Sequence, residues 1–224
     1  MSSRLPLLLL SALAFSAPAA VGAPSPGAGG DQAAHAAHAV RPQTEWVQQA
    51  QVLEKRADWA GLLAWGQAWA RAETKNPLAW FVQGRALGEL GRYSEAIAAY
   101  RQNLNLAPGD VWAHNNLGNA YRDSGRPRAA MQAYRAAVEI DLDYLPAWSN
   151  LGQTFYLTKG QAGVTQALQK LQATDPAAAE VWRALAIEYS ITQDPRIARE
   201  ALRVLRGLSQ AQRDRMFGIL FDEG

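Results

Sequence analysis

The chain has 224 residues, of which 49% are hydrophobic and 19% charged, and its formal net charge at neutral pH is +2. This composition excludes a disordered chain, and the near balance of basic and acidic residues argues against a surface that binds nucleic acid. Because the sequence contains no cysteine, disulfides, thiolate metal sites and cysteine nucleophiles are excluded as well.

Residues 1–19 have the three-part pattern of a secretory signal peptide. Arg4 supplies a positive charge, residues 5–15 form an apolar run, and Ala17 and Ala19 are small residues at the usual spacing for cleavage. The apolar run is short for a membrane-spanning helix, and an uncleaved N-terminal anchor is the alternative. We therefore predict cleavage after Ala19, with cleavage after Gly22 as a second possibility. The mature chain, free of cysteine, is then expected in a bacterial periplasm.

Residues 20–42 are rich in alanine, glycine and proline and contain almost no large apolar side chain, which predicts a flexible linker. His35 and His38 lie three residues apart in this segment, with Asp31 upstream. Two histidines and one carboxylate on a flexible segment are a poor ligand set for a metal ion. We therefore predict neither a metal site nor a cofactor.

Residues 43–224 repeat a helical hairpin pattern. The most regular copies are residues 77–110 and 111–144, in which apolar residues recur at helical spacing and a glycine, Gly91 or Gly125, follows the first helix. A fixed period of this size is typical of proteins built from stacked repeats. Less regular units are predicted near residues 43–76, 145–178 and 179–208, followed by a capping helix at residues 209–224.

The fourth unit and the last helix depart from the regular pattern. The glycine of the fourth unit comes one place late, at Gly160, and Val164 replaces a small alanine, so we expect its second helix to be shifted or shortened. The last helix is predicted from a capping box, in which Ser209 is followed three residues later by Gln212. Such a helix would cover the exposed end of a repeat array.

Aromatic residues mark one place in each repeat. Tryptophan recurs there in four units, at Trp46, Trp80, Trp148 and Trp182, and this regularity predicts packing in the core. His114 occupies the same place in the third unit. Because no serine or carboxylate partner can be identified from the spacing, we interpret His114 as a packing residue and not as a catalyst.

The units resemble tetratricopeptide repeats. The second unit matches the family pattern at Trp80, Gly84, Leu87, Ala96, Tyr100 and Pro108, and the third at Leu117, Gly118, Tyr121, Ala130 and Tyr134. Departures are Gln83 for leucine, His114 for tryptophan and Leu142 for proline. The resemblance extends from Gln43 to the end of the chain. It implies an all-α fold, a right-handed superhelix of about five helix-turn-helix repeats whose first helices line a concave groove.

The resemblance also places polar side chains in that groove. Asn115, Asn119 and Arg122 form one stripe of the third unit, with Asn116 beside it, and Asn150 and Gln153 follow one repeat after Asn116 and Asn119. Side-chain amides can hold the backbone of an extended peptide, and the arginines on corresponding faces, Arg85, Arg122 and Arg183, can pair with carboxylates. The alternative is a solvated face, since asparagine is frequent at these places whatever the repeat binds.

We therefore predict an exported, non-enzymatic scaffold or adaptor that binds a peptide or partner protein in a concave groove, in cell-envelope assembly. The sequence contains no phosphate loop, dinucleotide-binding fingerprint or zinc-binding helix motif, which argues against an enzyme. The expected partner is a protein or peptide and not a nucleic acid, and no membrane span is expected after signal cleavage. The alternative is a structural subunit of an envelope complex that uses its convex or end surfaces.

Overall fold

The structure is a computed structural model that describes residues 43–221. The predicted signal peptide, the predicted linker with His35 and His38, and the last three residues of the predicted cap lie outside the described residues. Residues 43–221 are helical and contain no strand. The helices are α1 (Gln43–Lys55), α2 (Trp59–Ala72), α3 (Pro77–Glu89), α4 (Tyr93–Leu106), α5 (Val111–Asp123), α6 (Pro127–Ile140), α7 (Leu145–Thr174), α8 (Pro176–Trp182), α9 (Tyr189–Thr192), α10 (Pro195–Gly207) and α11 (Gln210–Phe221).

Capping side chains set where the first helices of the units begin. The Asn76 side chain accepts a hydrogen bond from the Leu78 backbone N–H at 3.0 Å, directly before Pro77 in the first turn of α3. Asp110 caps α5 in a similar way, through the backbone N–H of Ala113 at 3.0 Å. Asparagine and aspartate satisfy backbone donors that the first helical turn leaves unpaired, and proline fits there because it has no N–H to satisfy.

Glycine allows the two helices of each regular hairpin to approach each other. A Cβ atom on Gly84 would lie 2.7 Å from Tyr100 Cε1, and one on Gly118 would lie 2.4 Å from Tyr134 Cε1. Real Cβ atoms do not come so close to other carbons, so a side chain at either place would force the helices apart. The tyrosine ring of α4 or α6 instead packs directly onto the backbone of the preceding helix.

The fourth unit has a shorter turn than the second and third. Gly160, with φ 66° and ψ −179°, breaks α7 into two helices, 145–159 and 161–174. The second of these begins and ends one repeat period after α6, so the expected shift or shortening of this helix does not occur. Instead, the first helix extends to the glycine, and the break between the two helices is the single residue Gly160.

The first helix of the fifth unit contains an irregularity that the sequence did not predict. Residues Arg183–Glu188 form a π-helical segment between α8 and α9, and the backbone stays helical across both junctions. A Cβ atom on Gly152 would lie 1.7 Å from the carbonyl oxygen of Ala186, so α7 and the π-helical segment touch backbone to backbone. The close contact places this segment against the first helix of the fourth unit.

The last helix packs against the side of the array. The capping box forms as predicted, since the Ser209 backbone N–H donates to Gln212 Oε1 at 3.0 Å and the Gln212 backbone N–H donates to Ser209 Oγ at 3.3 Å. α11 then contacts α7 and α8, and Phe217 stacks on Trp148 with ring centroids 6.0 Å apart. The helix therefore covers the fourth unit and the start of the fifth.

Helix contacts identify the inner side of the array. The first helix α5 packs against α3 and α7, the first helices of the neighbouring units, whereas the second helices α4 and α6 do not pack on each other to the same extent. In a curved stack, the elements on the inner side come closest together. The first helices therefore line the concave side and the second helices the convex side. None of the described helices is both long and apolar enough to cross a membrane.

Candidate protein-binding groove

The polar residues predicted for the groove lie on the first helices of four successive units. Arg85 is on α3, and Arg183 opens the π-helical segment of the fifth unit. The others, Asn115, Asn116, Asn119, Arg122, Asn150 and Gln153, lie on α5 and the first half of α7. Their exposure differs widely. Gln153 and Arg183 are exposed, Arg85, Asn119, Arg122 and Asn150 are half-buried, and Asn115 and Asn116 are only 2% and 8% exposed.

The two most buried members of the set, Asn115 and Asn116, support the surface from beneath. Asn150 Nδ2 donates to Asn115 Oδ1 at 2.9 Å, which joins the first helices of the third and fourth units. A buried amide is costly to leave without a partner, so this bond fixes how the two units sit against each other. The sequence pattern placed these asparagines on the inner helices but gave no sign that their side chains would be enclosed.

A hydrogen-bonded chain connects the inner surface of the third unit to its second helix. Asn119 Nδ2 donates to Asn116 Oδ1 at 3.4 Å, the Tyr134 hydroxyl donates to Asn119 Oδ1 at 2.8 Å, and Arg122 donates to the Tyr134 hydroxyl at 3.4 Å. Tyr134 was predicted only as a packing residue. The family pattern has phenylalanine at this place, so the tyrosine hydroxyl was the feature of the sequence that could have indicated a hydrogen-bonding role.

Electrostatics keep two members of this hydrogen-bonded chain, Tyr134 and Arg122, in defined protonation states. Burial raises the pKa of Tyr134 well above its ordinary value, although the positive charge of Arg122 opposes the rise. Burial, the largest single influence, disfavours the charged form of Arg122, but the hydrogen bond to Asp123 at 2.8 Å and the nearby charges of Asp123 and the tyrosines together outweigh it, so the pKa of Arg122 is raised. Tyr134 therefore stays a neutral donor, and Arg122 stays a cation at the edge of the groove.

The side chain of Arg85 forms its contacts within the protein. Its Nε donates to Glu54 Oε1 at 2.6 Å, and its guanidinium carbon lies 5.8 Å from the ring centroid of Trp59. Burial lowers the pKa of Arg85, but the charge of Glu54 and the hydrogen bond to it more than compensate, so the pKa is raised overall. Sequence reasoning missed Glu54, which lies on the first helix of the preceding unit. Arg85 thus ties the first unit to the second.

Gln153 and Arg183 are the most accessible of the predicted residues. Gln153 Nε2 donates to Ser149 Oγ at 3.2 Å, one turn earlier on the same helix. Arg183 pairs with Glu180 at 2.6 Å and also contacts Glu188. Exposed ion pairs of this kind contribute little to stability, so Arg183 can exchange its carboxylate partner at small cost.

His114 reproduces the hydrogen bond of the tryptophan that it replaces. Its Nε2–H donates to the Pro108 carbonyl at 2.9 Å, and one repeat later Trp148 Nε1–H donates to the Leu142 carbonyl at 3.0 Å. Pro108 and Leu142 hold corresponding places at the ends of their units. This geometry agrees with the interpretation of His114 as a structural residue.

Comparisons with known proteins concern the centre of the chain and its overall fold. A family model described as TPR repeat matches residues 84–125 and 118–159. No curated protein matches the sequence. Among solved structures, a crystal structure of MamA protein is similar at 19% identity, covering 73% of this chain and 87% of that one, with a TM-score of 0.49. The MamA RS-1 ArsTM double mutant is similar at 22% identity, covering 75% of this chain and 95% of that one, also with a TM-score of 0.49.

Proposed function

Because the chain is a tetratricopeptide repeat protein, we propose that it is an exported, non-enzymatic scaffold that binds an extended segment of a partner protein on the inner side of its helices. Protein interaction is the role that repeats of this family support. Export, the absence of catalysis and the position of the binding surface are the parts that we propose for this chain.

The observation that carries the proposal is the recurrence of a side-chain amide at one place on successive first helices. Asn119 and Gln153 hold the same place in the third and fourth units, and helices packed side by side lie about 10 Å apart. An extended peptide covers about the same distance in three residues. A strand-like segment lying across the helices would therefore meet a side-chain amide at every third residue.

The flanking guanidinium groups define the chemistry of the segment further. Arg122 lies on α5 with Asn119, and Arg183 lies on the first helix of the fifth unit; both already hold carboxylates, of Asp123 and Glu180 respectively. Arginine binds carboxylates through two parallel hydrogen bonds when the geometry allows it. We therefore expect a segment with acidic side chains beside the backbone that the amides hold.

A pair of matched variants tests the groove. In the groove variant, Gln153→Ala is combined with Arg183→Ala. In the control, Gln132→Ala is combined with Arg92→Ala, because Gln132 is exposed on the convex helix α6 and Arg92 forms an exposed pair with Glu95 like that of Arg183 with Glu180. Partners captured on the purified chain from its own cell envelope should be lost with the groove variant and kept with the control. Capture that survives in the groove variant would favour a structural role through the convex or end surfaces.

Export rests on the pattern of residues 1–19, which lie outside the described residues. We expect the mature protein in the periplasmic fraction, with Ala20 as its first residue if the signal peptide is cleaved after Ala19. N-terminal sequencing of the protein purified from its native cells measures this directly. Recovery from the cytosol with residues 1–19 still attached would contradict export.

A further inference from the structure

We propose that the exposed face of α10 is a second binding surface, which binds an acidic segment of a partner protein. α10 is the second helix of the fifth unit and therefore belongs to the convex side, away from the groove. The surface consists of four arginines, Arg196, Arg199, Arg203 and Arg206, which we call the arginine stripe. The inference does not depend on the proposed function of the groove.

Helix geometry aligns the arginine stripe. The four residues are spaced by three, four and three positions, so their side chains leave the helix within one narrow sector and extend over about 15 Å along its axis. The side chains of Arg196, Arg203 and Arg206 are 84%, 74% and 56% exposed. The opposite face of α10 is buried against the core through Ala198, Ala201, Leu202 and Leu205.

Charge is concentrated at this end of the described chain. α10 and α11 together contain six arginines, at positions 196, 199, 203, 206, 213 and 215, and only two acidic residues, Glu200 and Asp214. Asp143, Asp175 and Asp194 on adjoining segments pair with three of these arginines, and the six arginines still outnumber the carboxylates on and beside the two helices. A local field of this sign attracts an acidic partner and increases its association rate.

The contacts of the arginine stripe show that its guanidinium groups are placed to hold carboxylates. Arg196 contacts Asp194 through NH2 at 2.7 Å and through Nε at 3.1 Å, and an NH2 of Arg206 reaches both oxygens of Asp143 at 2.8 and 2.6 Å. These pairs are exposed and therefore weak, so carboxylates of a partner can replace them. Arg199 forms no ion pair among residues 43–221, which leaves its charge available.

The same face favours a protein partner over a membrane surface. A helix that binds lipid in the membrane interface presents large apolar side chains next to its basic residues. None of the exposed large hydrophobic residues in the described part of the chain lies on α10 or α11. Without apolar groups to insert, the stripe is suited to charge pairing alone, and an acidic helix has carboxylates at the same pitch of about 5.4 Å per turn.

A synthetic peptide supplies the test. The probe is a labelled helical peptide with glutamate at positions i, i+3, i+7 and i+10, and the reference peptide has glutamine at the same positions. Fluorescence anisotropy should show binding of the glutamate peptide only, with an affinity that falls as salt is added. Combined Arg196→Gln, Arg199→Gln and Arg203→Gln should raise Kd about tenfold, as expected for three exposed ion pairs.

Two further variants separate a binding role from a loss of structure. The matched control replaces three exposed arginines elsewhere, Arg71, Arg92 and Arg126, by glutamine and removes the same charge, and it should leave Kd within about twofold. Glu200→Gln removes a carboxylate that pairs with Arg203, so it should tighten binding, which an unfolded variant cannot do.

Three results would overturn the proposal. The first is no difference between the two peptides, and the second is an equal loss of affinity in the control variant. The third is preferential, stripe-dependent binding to vesicles containing an anionic phospholipid, which would assign the stripe to a membrane surface. The groove variant Gln153→Ala with Arg183→Ala should bind the glutamate peptide normally, so failure of the groove and failure of the stripe can be told apart.

Discussion

At the scale of single residues, Trp148 joins three parts of the molecule. Its side chain is fully buried, its indole N–H donates to the Leu142 carbonyl at 3.0 Å, and its ring stacks on Phe217 of α11. The contacts therefore connect the loop before the fourth unit, the first helix of that unit and the terminal helix. Burial of a large aromatic ring of this kind is among the strongest single contributions to stability.

Truncating Trp148 should lower the free energy of unfolding substantially. We expect Trp148→Ala to cost about 3–5 kcal/mol, because the cavity removes the packing on both neighbouring elements. Urea unfolding followed by circular dichroism measures the change. Tyr156→Ala on the same helix serves as the control, since Tyr156 is half exposed and should change stability by no more than about 1 kcal/mol. Equal effects of the two substitutions would contradict the placement of Trp148.

The sequence could predict the place of Trp148 but not its partners. The tryptophan recurs at the repeat period, and that regularity predicted its burial. Phe217 lies far along the chain, and no local pattern indicates that it stacks on Trp148. Asn115 shows the same limit within the candidate site, because the spacing placed it on an inner helix while its burial depends on how closely the next unit packs.

At the scale of helices, the close contact between α7 and the π-helical segment depends on the absence of a side chain at Gly152. Gly152→Ala should destabilise the protein by about 1–3 kcal/mol or more, because the new Cβ would lie 1.7 Å from the backbone oxygen of Ala186, which has little room to move. Gly88→Ala is the matched control. No atom lies within 4 Å of a Cβ at Gly88, so alanine should stabilise α3 by up to about 1 kcal/mol. A melting temperature that shifts in the same direction in both variants would contradict this account.

The helical hairpins could be predicted because their signals are local. Apolar spacing, the caps at Asn76 and Asp110, and the capping box at Ser209 all act within a few residues. The π-helical segment could not be predicted in this way. It lies where the backbone of the fifth unit meets Gly152 of the fourth, and such a contact exists only after the units have stacked.

At the scale of the whole molecule, the array presents two polar surfaces of different character. The inner side combines amides and arginines on neighbouring first helices, whereas the arginine stripe on α10 contains arginines alone, three of them paired with exposed carboxylates of the protein. Because each unit mainly contacts its neighbours, binding on one surface can occur without displacing the other. On our two proposals, the scaffold brings together two different partner segments.

The stacking of the units also predicts how far a local loss of structure extends along the array. Met216 and Phe217 are almost completely buried between α11 and the units that it covers, so Met216→Ala combined with Phe217→Ala should detach the terminal helix. Hydrogen exchange measured by mass spectrometry should then become faster in α11, α7 and α8, while α3 and α4 keep their protection because they do not contact α11. Gly218→Ala, at an exposed place of the same helix with no atom within 4 Å of the new Cβ, should not accelerate exchange in any helix and should slow it slightly in α11. A uniform rise in exchange over all helices would instead show that the array unfolds as one cooperative unit.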